Sequence, residues 1–176
     1  AHTVSFTGPL PTLSDAVVID ATSEPDFITI GNRPVVVLDG GNMGSDAITL
    51  GPGASGSTIR GLLIRDFHGN GIVIQAGSNN NTIAGNYIGQ LNTDGSGSTA
   101  GEQNTGSGLY IQGASNLIGG TTGADRNVLS GNFEGIYISG ASAHGNIIIS
   151  NYVGVDGTGM SALANSWKGI HIDAGA

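Results

Sequence analysis

The chain has 176 residues, a mass of 17.5 kDa and a mean hydropathy of +0.09, with only 10% charged residues, which excludes a disordered acidic segment and allows one domain burying about 70% of its surface. The net charge of −8, from 5 Lys+Arg against 13 Asp+Glu, leaves no basic stripe for nucleic acid or an anionic membrane surface. Without cysteine there is no disulfide framework, thiolate metal site or catalytic thiol.

No apolar run approaches the ~18 residues of a membrane span, so no membrane insertion is expected. The start, Ala1-His2-Thr3, has the look of a processed or excised boundary. Glycine is abundant, 32 residues, well above the usual ~7%, so a turn is expected every few residues.

Residues 1–40 hold four of the five prolines, Pro9, Pro11, Pro25 and Pro34, with strands expected at Val17–Asp20 and Val35–Asp39. Proline removes ladder donors and blunts a sheet edge, so this segment reads as an N-terminal cap with the first strands.

Residues 41–176 read as repeats. Thr58-Ile59-Arg60-Gly61-Leu62-Leu63-Ile64 returns as Thr82-Ile83-Ala84-Gly85-Asn86-Tyr87-Ile88. Gly-apolar-x-apolar recurs at Gly71–Ile74, Gly108–Ile111, Gly135–Ile138 and Gly169–Ile172, with Ala47–Leu50 as an earlier copy. The runs are short, Ile- and Val-rich and bounded by Gly, Asn or Ser, which predicts strands; no segment carries a helical period. Units of at least 24 residues with several short strands each predict an all-β chain, a parallel β-helix (β-solenoid) in which every turn buries its inner face on its neighbours. About six turns at ~4.8 Å would give a rod near 29 Å long. All of it is one domain. Gly169 to Asp173 opens a turn that nothing after it completes, so the C-terminal end is expected to be truncated, or covered by adjoining chain or a second copy.

Alternation within each strand turns Ile72/Ile74, Leu109/Ile111, Ile136/Ile138 and Ile170/Ile172 inward and leaves Thr49, Val73, Tyr110, Tyr137 and His171 as an outer column. Two further columns are Asn81, Asn116, Asn146 and Asn86, Asn127, Asn151. An amide both donates and accepts, and Asn tolerates tight bends, so both are expected to be buried structural ladders at corners.

Leu10–Leu13, Ser57–Leu62, Asn81–Gly89, Ala124–Asn132 and Gly145–Gly154 together resemble the right-handed parallel β-helix repeat proteins that form parts of large secreted or surface proteins of bacteria, within the wider pectate-lyase-like superfamily. The resemblance implies a right-handed coil and an extracellular or cell-surface location. It does not imply an activity, because that superfamily includes lyases, hydrolases, epimerases, tailspikes and adhesins.

Asn92-Thr93-Asp94-Gly95 is similar to one polygalacturonase motif, but the carboxylate cluster that glycoside hydrolysis needs has no counterpart, and Asp94-Gly95 reads as an Asx turn, like Asp156-Gly157. A lyase or epimerase would need a base beside a group neutralising a uronate; Arg60 and Arg65 flank one strand as candidates for a shared face, and Arg126 and Lys168 read as loop residues. Calcium would need closely spaced acids; Asp94, Glu102 and Asp156 are isolated and read as solvated, so no metal or cofactor is expected. The best binding candidates are Tyr110, Tyr137 and His171, with Trp167 beside them, as a platform for a polysaccharide or other surface ligand. The function expected is a structural or adhesive module; the alternative is a carbohydrate-active enzyme domain.

Overall fold

A computed structural model describes residues 1–176. Its strands are β1 (His2–Ser5), β2 (Val18–Asp20), β3 (Val36–Met43), β4 (Ile48–Leu50), β5 (Thr58–Arg60), β6 (Leu62–Phe67), β7 (Ile72–Ile74), β8 (Thr82–Ala84), β9 (Tyr87–Gly89), β10 (Ser107–Ile111), β11 (Leu117–Gly119), β12 (Val128–Ser130), β13 (Glu134–Ser139), β14 (Ile147–Ile149), β15 (Tyr152–Val153) and β16 (Lys168–Asp173). They form three sheets, ordered β1-β3-β6-β9-β12-β15, β4-β7-β10-β13-β16 and β2-β5-β8-β11-β14, here the first, second and third. From β2 onward the chain visits the third, first and second sheets in strict rotation. Every pairing between named strands is parallel. The chain is all-β with almost no helix, and its sheets fit a β-helix-like solenoid.

The strands are short because the motif that makes them is short: three or so apolar-rich residues, then a corner. Each rung turns one or two branched side chains inward. Ile59, Ile64, Ile72, Ile74, Ile83, Ile88, Leu109, Ile111, Ile118, Leu129 and Ile136 are all completely buried in one 20-residue cluster. Burying such a side chain stabilises by about 1.5–3 kcal/mol, available only when neighbouring rungs stack.

Three features depart from the sequence reading. The N-terminal segment contains a strand it lacked, β1, paired with β3 at the edge of the first sheet, and a short helix, α1 (Pro25–Thr29), that buries Phe27. Second, β3 extends to Met43, past the strand expected at Val35–Asp39, and the Pro-rich segment packs into the same core as the repeats. Third, the first sheet buries part of its outer face as well. Val37, Leu63, Tyr87 and Val128 form a second apolar cluster there with Leu91. The lids are two antiparallel hairpins closed by the bridges Leu91–Gly97 and Val155–Ala162. They touch where Gly157 N–H donates to the Gly95 carbonyl at 2.8 Å. The Gly/Ser-rich insertions therefore cover a sheet.

Candidate functional site

The outer face of the second sheet carries a connected set of aromatic and polar side chains. Strands β4, β7, β10, β13 and β16 align Thr49, Val73, Tyr110, Tyr137 and His171 as successive partners. Tyr110 and Tyr137 stack with centroids 4.9 Å apart and planes at 8°, and Tyr137 stacks on His171 at 4.7 Å and 15°. Trp167 meets His171 edge-on at 5.2 Å and lies against Phe133 at 5.4 Å, with the Lys168 ammonium 3.9 Å from its ring. The structure thus brings Tyr110, Tyr137, His171 and Trp167 together. The central rings spend their faces on one another and turn their edges outward.

Below this stack lies a chain of hydrogen bonds absent from the sequence reading. His171 Nδ1 meets Glu134 Oε1 at 2.6 Å, and Ser107 Oγ donates to Glu134 Oε2 at 3.0 Å. A carboxylate only accepts, so Nδ1 carries the proton of that bond. His171 Nε2 lies 3.6 Å from the Asp173 carboxylate, which also accepts from the Tyr137 hydroxyl at 3.0 Å. Hydrogen bonds from Ser139 and Tyr137, with the nearby His171 and Lys168, hold the Asp173 carboxyl below its ordinary range. The Tyr137 hydroxyl is shifted the other way: a bond with Ser139 pulls it down, but desolvation and Asp173 outweigh that.

Glu134 reaches this face through a break in strand alternation. Ser107 pairs with Glu134 and Leu109 with Ile136, and the register skips the glycines between them. A Cβ on Gly108 would point inward, 3.0 Å from Asn132 Nδ2 and 3.2 Å from Leu129 Cδ2. Because Gly108 and Leu109 both face the core, Ser107 and Glu134 fall on the outside. The sequence signal was the residue preceding each Gly-apolar-x-apolar motif, in register as Ser107, Glu134 and Lys168.

What can this arrangement do? Ser107 gives its proton to a carboxylate rather than to an imidazole, so it is not arranged as an activated nucleophile. The two carboxylates of Glu134 and Asp173 face His171 rather than an open gap, and glycoside hydrolysis needs such a gap for sugar and water. Lys168 opens β16 rather than lying in a loop.

Both asparagine columns form ladders. Asn116 Oδ1 accepts from the backbone N–H and Nδ2 of Asn81, each at 2.9 Å, and Asn146 Oδ1 accepts the same pair from Asn116. Asn127 Oδ1 takes both groups from Asn86, and Asn151 Oδ1 takes both from Asn127. Asn146 and Asn151, the last rungs, are only partly covered, so the expected burial holds for the inner rungs alone. A third ladder, Asn104–Asn132–Asn165, runs beside the inward glycines. It escaped the sequence reading because these residues stand four, three and four positions before Gly108, Gly135 and Gly169.

The remaining candidates separate. Asp94 Oδ1 accepts from the backbone and hydroxyl of Ser96, and Asp156 Oδ1 from those of Thr158, so both are Asx turns within the hairpins. Arg60 and Arg65 do not share a face: they lie on the third and first sheets, across a corner at Gly61, whose φ is +75°. Arg60 lies near Asp20 and Asp125, while Arg65 bridges Asp39 and Glu102 at 3.1 and 2.8 Å. Glu102 is therefore ion-paired rather than simply solvated. One group with metal-ligand geometry occurs, His2, Glu24 and Asp26, with ligand atoms within 4.8 Å of one another; His2 and Glu24 already contact each other at 3.3 Å.

A scan against protein-family models and searches of curated proteins and of solved structures find no match.

Proposed function

We propose that the chain is an extracellular or cell-surface structural and adhesive module, built as a right-handed parallel β-helix of about six turns with a Pro-rich cap over residues 1–40 and repeat turns over 41–176. We place it with the β-helix repeat proteins of the pectate-lyase-like superfamily. The observation that carries this reading is the polarity of the three asparagine ladders: in each, one rung's backbone N–H or Nδ2 donates to the next rung's Oδ1. Repeated polar side chains are spent on holding rung to rung, as a rigid stalk requires. No side-chain oxygen accepts from the backbone N–H of Asn146, Asn151 or Asn165, and Ile147, Ile149, Ile170 and Ile172 on the outermost strands β14 and β16 are exposed. An adjoining rung or a second copy would satisfy both, making the module a link in a longer rod. The Trp167 corner, rather than the stacked rings, is the best remaining polysaccharide contact.

A second reading, a carbohydrate-active enzyme, rests on the hydrogen-bond chain from Ser107 through Glu134 to His171 and Asp173. The protein is incubated with pectate, alginate and hyaluronan, with and without calcium, and assayed for unsaturated products, new reducing ends and retention of the polymer. The structural reading expects retention at most. Turnover that disappears in Glu134→Gln would replace it with the enzymatic one.

A further inference from the structure

Four arginines are set among 13 acidic residues, and they divide sharply. Arg60 and Arg65 each face two carboxylates. Arg33 and Arg126 have no carboxylate at ion-pair distance, though the Asp94 carboxylate is near enough to feel the Arg33 charge, and both line one cleft of about 480 Å³ on the outer side of the first sheet, with Tyr87, Thr122, Val128 and Gly157 among its walls. In an acidic chain, two unpaired guanidiniums at one place are unexpected, because each has carboxylates available elsewhere.

Both are held by neutral groups. Arg33 donates from Nε to the Ile30 carbonyl and from Nη1 to the Asp94 carbonyl, each at 2.8 Å. Arg126 donates from Nε to the Ser150 carbonyl at 2.9 Å, and its guanidinium lies 4.1 Å from the Tyr152 ring centre. That fixes each fork while leaving Arg33 Nη2 and both terminal nitrogens of Arg126 without a partner inside the protein. The nearby acids are engaged elsewhere: Asp94 accepts from Ser96, Asp156 from Thr158, and Asp125 from Thr122 while its other oxygen faces Arg60. Burial raises the Tyr87 hydroxyl's pKa, so it stays protonated as a donor.

We propose that this cleft binds an oxyanion, a carboxylate or a sulfate, carried by a small-molecule ligand. Pre-positioned guanidinium forks suit such groups, which accept two parallel N–H donors, and the volume lies in the range of small-molecule sites. The site lies on a different sheet from the aromatic stack and does not depend on the adhesive reading.

The test is an NMR titration of the isotopically labelled protein with sodium sulfate, sodium glucuronate and glucose, at constant ionic strength held with sodium chloride. Saturable shifts are expected at the side chains of Arg33 and Arg126 and at the amides of Gly31, Gly123 and Gly157, with sulfate, glucuronate or both; which of them acts identifies the head group. Arg33→Gln, whose side chain stacks on no ring, should weaken that binding on the order of tenfold. Because the wild-type titration locates the site by itself, misfolding of a variant does not obscure it. No saturable shift at these positions, equal shifts with glucose, or equal shifts around Arg60 and Arg65 would overturn the proposal.

Discussion

Glu134 and His171 stand on neighbouring strands, yet they are not register partners: Glu134 pairs with Lys168 and His171 with Tyr137. They meet at 2.6 Å because an inward glycine at position 135 displaces Glu134 by one step of the pleat. A carboxylate with only 5% of its side chain exposed is thereby buried and still satisfied, by an imidazole on one oxygen and the Ser107 hydroxyl on the other. The cost of desolvating that charge is offset only while both donors remain.

Glu134→Ala should therefore destabilise the protein markedly, since Ser107 Oγ and His171 Nδ1 would each lose an acceptor at about 1–3 kcal/mol apiece. Glu134→Gln keeps one acceptor oxygen and should cost less. Urea denaturation of the two variants gives the comparison; equal midpoints for Glu134→Ala and the wild type would show that the pair contributes nothing to stability.

Acid should loosen the hairpin lid that holds Asp156. Hydrogen bonds from Thr158, Ser161 and Met160 hold the Asp156 carboxyl down at about 2, from an ordinary value of 3.8. A carboxylate whose pKa falls on folding adds stability that is complete above its unfolded pKa and is lost as pH drops through the folded one. The loss should span roughly pH 4 to 2. Asp66, raised chiefly by burial, acts in the opposite sense, so the informative quantity is the difference between variants. Thermal melts of wild type and Asp156→Asn should converge as pH falls from about 5 to about 2; parallel curves would mean that the Asx turn does not couple to folding.

The inner face was legible because its apolar residues recur at period two, and the outer column of Tyr110, Tyr137 and His171 followed from the same count. Two asparagine columns were legible because each precedes a recognisable apolar pair. Where a local device interrupts the period, the sequence became silent. The bulge at Gly108 and Gly135 hid Glu134, and uneven offsets hid Asn104, Asn132 and Asn165. Helix α1 has five residues, too few to show a helical period. Strand β1 is exposed throughout and carries no core pattern. The cleft between Arg33 and Arg126 depends on segments some 90 residues apart in sequence, whose meeting only stacked strands determine.

Ladder and stack should differ in weight. Asn127 Oδ1 accepts two bonds from Asn86, and its Nδ2 donates to the Ile83 carbonyl at 2.7 Å and to Asn151 Oδ1 at 2.9 Å. Asn127→Leu leaves several of these buried groups unpaired, at about 1–3 kcal/mol each. Tyr137→Ser removes two stacking contacts worth about 0.2–1 kcal/mol each and one hydroxyl bond to Asp173. Equilibrium unfolding should rank Asn127→Leu as clearly the more damaging. The reverse order would mean that the aromatic column, rather than the amides, locks the rungs.

The inward glycine makes the strictest demand on the sequence. A Cβ on Gly135 would stand 2.5 Å from the Gly169 carbonyl oxygen and 2.6 Å from Val153 Cγ1, so even alanine forces backbone or core to move. Neither neighbour is a flexible tip: one is main chain on β16, the other a β-branched residue of β15. Overpacking of this kind costs about 1–3 kcal/mol, and relief by rotating the strand would carry Glu134 away from His171. Gly135→Ala should therefore lower the melting temperature and also lengthen the Glu134–His171 contact, visible as changed NMR chemical shifts of the His171 ring. Gly123→Ala, where a Cβ would meet nothing within 4 Å, is the matched control and should leave both unchanged. If Gly135→Ala proved as stable as that control and left the His171 ring shifts untouched, the bulge would not be what places Glu134 on the outer face.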